Sequence, residues 1–119
     1  MRLDSSTEII KFELIKCCIS FDAKHFIPFL MSKNVTTGMP NKTKFYQFFK
    51  YMINCSKQSS FGKLTYKLEY KNDNLQEYYL NFYDEYHKYS RLSIKIVETE
   101  KTIFIDTLPF WTKTATNNG

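Results

Sequence analysis

At Lys63 the spacing of apolar residues changes character. Upstream they recur at helical intervals; from Leu64 onward they alternate with polar ones. Leu64, Tyr66, Leu68 and Tyr70 fall on one parity, and Thr65, Lys67, Glu69 and Lys71 on the other. Successive side chains of an extended chain point to opposite sides, so this stretch reads as a strand with one buried face. A helical half followed by a sheet half makes an α+β domain.

The helical half holds three helices. Ser5 followed by Glu8 has capping-box spacing, and Ile10, Leu14, Cys17, Cys18 and Phe21 then keep a 3.6-residue period, predicting a first helix over residues 6–20. Asp22 can cap a short second helix, AKHFIPFLMS, limited by Pro28, which has no amide to donate. β-Branched residues at 34–37 suit one short strand before Gly38-Met39-Pro40 breaks it. A third helix follows, capped by Asn41 or Thr43, with Phe45, Phe48, Phe49, Met52 and Ile53 on one stripe. This stripe reads as core.

The sheet half continues past the turn Asn72-Asp73-Asn74 with strands at 75–86, 92–98 and 102–108. Short connections require antiparallel neighbours, so three N-terminal helices pack on a curved four- to five-stranded antiparallel meander. At 119 residues there is one core, expected over 1–111, with 112–119 a flexible C-terminal tail.

Charge and cysteine usage narrow the function classes. Lys and Arg number 17 against 12 Asp and Glu, a net charge of +5, but the lysines are scattered and Arg2 and Arg91 are the only arginines. Readers of duplex bases rely on arginine forks, so nucleic acid is an unlikely partner. Seven of the nine tyrosines lie in residues 63–89, which keeps single-stranded binding by stacking as an alternative. Cys17, Cys18 and Cys55 are odd in number and lack metal-ligand spacing, which fits a reducing cytoplasm. Charges interrupt the apolar N-terminal stretch, so neither a secretory signal nor a membrane span is expected.

Two stretches carry a family likeness: FDAKHFIPFLMSKNVTTGMPNKTKFYQFFKYM and RLSIKIVETEKTIFIDTL. In the order helix, helix, short strand, helix and four meandering strands, the chain resembles the nuclear-transport-factor-2-like superfamily. The resemblance implies a cone-shaped α+β fold. Members of that family are small-molecule enzymes, ligand binders or dimeric interaction modules, often pairing through the outer sheet face. The isomerase branch carries an acidic base near the short strand, whereas Ser32-Lys33-Asn34-Val35-Thr36-Thr37 holds no carboxylate. Isomerase-type proton abstraction is correspondingly disfavoured.

Strand parity supplies the candidate residues. With even residues of the second strand inward, Asp84 lies at the mouth of the cone beside Tyr86 and His25, where burial raises a carboxyl pKa. Asp84, His25 and Tyr66 are then the polar groups of an isomerase- or cyclase-like enzyme, or of a small-molecule binder. His25 and His87 have no ligand partners at metal spacing, and there is no glycine-rich phosphate loop, so neither metal nor cofactor is expected. On the other face, Tyr79, Tyr83, Val97 and Phe104 project outward with Lys67, Glu69, Lys95 and Asp106. That mixture predicts a protein interface, with a partner protein or a second copy docked on it. The leading expectation is a non-enzymatic cytoplasmic protein-binding module, in its narrowest form a bacterial immunity protein that neutralises a toxin.

Overall fold

The computed structural model describes residues 6–108, apart from the side chain of Asn74. Helix α1 spans Thr7–Ser20. Its cap is Ser6, whose hydroxyl accepts the Ile9 amide at 3.2 Å. The expected cap, Ser5, lies outside the described residues, so the helix is capped one residue later than its spacing suggested. At the other end Phe21 adopts a left-handed φ of 57°, and the Asp22 amide turns back to the Cys17 carbonyl at 2.9 Å.

The second helix is not continuous. Asp22 accepts the Lys24 amide at 3.1 Å and starts a 3-10 turn over Ala23–Phe26, which runs into a single α-helical turn, α2, at Ile27–Leu30. Pro28 explains the tightening, because in a longer α-helix its ring would press on the carbonyl four residues earlier. Strand β1, Val35–Thr37, follows, and then α3, Lys42–Ser59, capped by Asn41 through the Lys44 amide at 2.8 Å.

Strands β2 (Thr65–Lys71), β3 (Asn74–Tyr83), β4 (Leu92–Glu98) and β5 (Ile103–Leu108) form the antiparallel meander. The sheet as a whole is mixed. β1 joins β5 in parallel, Val35 opposite Ile103, giving the order β1-β5-β4-β3-β2, with β1 and β2 the edge strands among the described residues. A parallel pair needs a long crossover, and here α3 and three strands separate its members. β3 stops at Tyr83, short of the expected residue 86, because Asp84 turns the chain. The expected tail at 112–119 lies outside the described residues.

One core joins the helices to the inner sheet face. Ile10, Leu14, Cys17 and Cys18 of α1 meet Phe26 and Leu30, the α3 stripe Phe45, Phe49, Met52 and Ile53, and the inward residues Leu80, Phe82, Ile94, Ile96, Ile103 and Ile105. Phe49 is at its centre, stacked on Phe45 at 5.6 Å and edge-on to Phe26 at 5.8 Å between ring centroids. Tyr78 is buried as well, and its hydroxyl donates to Glu98, which also pairs with Lys11 of α1 at 3.4 Å. This contact fixes the N-terminal half of α1 over β3 and β4. Phe49→Ala should cost about 3–5 kcal/mol in urea unfolding, whereas Phe12→Ala, the same deletion at an exposed site, should change stability by less than about 1 kcal/mol.

Candidate functional site: an apolar groove beside the edge strand

Helix α1 is apolar around most of its circumference. One stripe enters the core; Phe12, Ile15 and Ile19, at i, i+3 and i+7, lie on another side. Phe12 is 59% exposed and Ile19 37%. They border an open groove of about 760 Å³, walled by α1, by Phe29 and His25 of the following segment, and by Tyr66 of β2. Tyr66 is 45% exposed, its ring tilted against Phe82 at 6.3 Å.

Polar groups occupy the groove's rim. Lys16 pairs with Glu13 at 3.6 Å and also lies 5.5 Å from the Phe12 ring centre. His25 is largely exposed and meets Asp22 at 3.1 Å. Cys17 reaches the groove wall, but burial, with the nearby charges of Glu13 and Asp22, pushes its thiol up to about 12. The thiol stays protonated and behaves as a small apolar group, as does fully buried Cys18.

His25 and Tyr66 thus share the groove, while Asp84 belongs to another part of the molecule. Its side chain is enclosed where the α3–β2 connection meets the β3–β4 connection. One carboxylate oxygen accepts the Phe61 amide at 2.8 Å and the His87 Nδ1 at 2.9 Å; the other accepts the amides of His87 at 2.7 Å and Tyr86 at 3.1 Å. Burial by itself would raise this carboxyl. The Phe61 amide, the His87 ring and the His87 and Tyr86 amides together overturn that and hold it well below the usual carboxylate range. The expected raised pKa is therefore reversed, and its histidine neighbour is His87 rather than His25. Asp84 is a clamp, with Glu85 beside it packed so closely on Gly62, at φ +74°, that a Cβ there would meet its carboxylate at 2.5–2.7 Å.

The outward set occupies the opposite sheet face. Tyr79 lies opposite Lys95, which lies opposite Asp106; Val97 lies opposite Phe104. Tyr83 donates to Glu69 at 2.7 Å and carries the Lys67 ammonium 5.3 Å above its ring, and Lys95 is 3.7 Å from Glu77. The four apolar members are half-buried by their neighbours. More exposed apolar surface lies on the groove side, in Phe12, Ile19, Tyr66 and Tyr70, and around the clamp, in Phe61, Tyr86 and Tyr89.

The core stripe of α1 alone does not point to Phe12, Ile15 and Ile19. The signal was present: a helix with apolar residues on two sides has one side too many for a single core. Among the described residues no cluster of His, Cys, Asp and Glu is fit to hold a metal ion, and no helix is long and apolar enough to cross a membrane. Compared with protein-family models, curated proteins and solved structures, the chain has no significant match.

Asp84 makes the clamp's acid response predictable. Its folded pKa is depressed, so its contribution is complete above the unfolded carboxylate value of about 3.9 and is lost as pH falls from there towards the folded pKa. Asp84→Asn should cost about 2–4 kcal/mol at neutral pH. Urea titrations from pH 7 down to 3 should show a shallower pH dependence for the variant than for the wild type.

Proposed function

We propose that this chain is a non-enzymatic protein-binding module whose main contact surface is the α1–β2 groove. The observation that carries the reading is the second apolar side of α1: Phe12, Ile15 and Ile19 line a groove open to solvent instead of entering the core. Surface apolar residues gathered beside charged Lys16 and Glu13 have the composition of a binding patch, an apolar centre with a polar rim. The outer face, with Tyr79, Tyr83, Val97 and Phe104, is a secondary contact surface in this proposal. The likeness to the nuclear-transport-factor-2-like superfamily belongs to the same proposal and rests on element order. So does the narrower role, neutralisation of a bacterial toxin by occlusion, which rests on the chain's size and its lack of catalytic motifs.

A second reading has its own support. A groove of about 760 Å³ is within the usual volume of small-molecule sites, and His25 and Tyr66 both line it. In that reading the chain binds an apolar ligand with a polar end. Asp84 takes no part in it, being held by its four donors.

A photo-crosslinking residue substituted at Phe12 separates the two. In cells of the source organism it should trap a discrete protein adduct that the same residue at exposed Lys101 does not. Combining the probe with Ile19→Ser should reduce the adduct about tenfold, since a buried aliphatic side chain contributes about 1.5–3 kcal/mol. No adduct, together with a small molecule retained by the purified chain in native mass spectrometry, would overturn protein binding in favour of the second reading.

A further inference from the structure

We propose that β2 is a homodimerisation edge: two copies of the chain pair their β2 strands antiparallel about a two-fold axis at Leu68, joining two five-stranded sheets into one. The inference goes beyond the groove and shares with it one residue, Tyr66 of the groove's β2 wall.

β2 ends the sheet, so its outer backbone amides and carbonyls have no strand beside them among the described residues. The strand is seven residues long and contains no proline, so each residue whose amide points away from β3 can donate to a new neighbour. Its sequence, TYKLEYK, is complementary to itself around its centre. With Leu68 on the axis, Lys67 lies opposite Glu69 of the second copy and Glu69 opposite its Lys67, while Tyr66 and Tyr70 face each other twice. Side chains directly opposed on an antiparallel pair have Cβ atoms roughly 4.5–5.5 Å apart, close enough for both kinds of pair.

The charges also select the register. Moving the axis to Lys67 sets that lysine against itself, and moving it to Glu69 sets Glu69 against itself and Lys67 against Lys71. Centring on Tyr70 restores opposite charges but overlaps only three strand residues, 69–71. Only the Leu68 axis overlaps all seven residues and pairs unlike charges. Neither Lys67 nor Glu69 makes an ion pair among the described residues: Lys67 lies over the Tyr83 ring, and Glu69 accepts from Asn81 and Tyr83 through Oε1, which leaves Oε2 for an opposed lysine.

The inner face supplies the apolar contribution. Tyr66 and Tyr70 are 45% and 46% exposed although their neighbours across β3, Phe82 and Tyr78, are buried. These two rings are the exposed aromatic groups of the β2 inner face, within reach of a second copy paired at this edge. Tyrosine pairs across the edge would bury these rings and leave their hydroxyls in water.

Sedimentation equilibrium from micromolar to submillimolar concentration should show the wild type passing from 14.3 kDa to twice that mass. Lys67→Glu replaces two attractive pairs with two repulsive ones and should weaken dimerisation at least about tenfold, as should Glu69→Lys. An equimolar mixture of the two variants should regain dimers, resolved as heterodimers by native mass spectrometry, because every opposed pair is then again unlike in sign. Glu69 also accepts from Asn81 and Tyr83, so the Glu69→Lys variant could lose its fold. In that event the Lys67→Glu comparison and concentration-dependent slowing of amide exchange at residues 66–70 in the wild type decide the question. A wild type that stays monomeric throughout overturns the proposal, and so does a Lys67→Glu variant that dimerises as tightly as the wild type.

Discussion

Helix α1 has apolar side chains on two sides and only one core to enter. Ile10, Leu14, Cys17 and Cys18 take the core, and the Lys11–Glu98–Tyr78 contact holds this orientation over β3 and β4. Two features follow from that single placement. Phe12, Ile15 and Ile19 are left to line a groove, and the inner tyrosines of β2, Tyr66 and Tyr70, stay exposed. Rotating α1 to bury Phe12 would withdraw Ile10 and Leu14, each with no accessible surface, and emptying such positions costs several kcal/mol. The groove is therefore a consequence of how the core is filled.

The far end of the sheet is governed by a different constraint. Two connections without regular structure meet there, and their amides need acceptors. Asp84 supplies them, taking three backbone amides and the His87 ring, while Glu85 fills the space that Gly62 leaves open. A carboxylate surrounded by donors is stabilised as the anion and is a poor proton acceptor at neutral pH, which separates Asp84 from acid–base chemistry. The same clamp fixes the positions of Phe61, Tyr86 and Tyr89, whose rings stay exposed around His87.

What was legible in the sequence was local. The α3 stripe and the meander depend on spacings of a few residues, and both are present in the structure. β2 is a strand, but the buried face its alternation predicts is not there, since Tyr66 and Tyr70 are exposed and Leu68 is only half-buried. The parallel pairing of β1 with β5 was not legible, because three residues at 35–37 carry no signal that names a distant strand as their neighbour. Parity carries the strand to residue 86 and sets Asp84 and Tyr86 on its inner face, whereas β3 ends at Tyr83 and Tyr86 is exposed. Asp84 is buried among donors rather than apolar groups, two environments that move a carboxyl pKa in opposite directions. The tyrosine-rich stretch divides in the same way. Tyr78 is core, Tyr79 and Tyr83 are half-buried on the outer face, and Tyr66, Tyr70, Tyr86 and Tyr89 are exposed.

The edge position of β2 gives its charges a meaning that alternation alone does not. Lysines on an edge strand commonly block pairing, because any approaching strand must desolvate them or meet its own cations. With Glu69 set between Lys67 and Lys71, the blockade is selective: an unrelated strand, or a second copy in a neighbouring register, meets unpaired or like charges, while a second copy centred on Leu68 meets unlike ones. Discrimination of this kind needs repulsion in the wrong arrangements as much as attraction in the right one. At this edge one run of seven residues thus admits a single closed pairing, since a two-fold axis uses up both β2 edges at once.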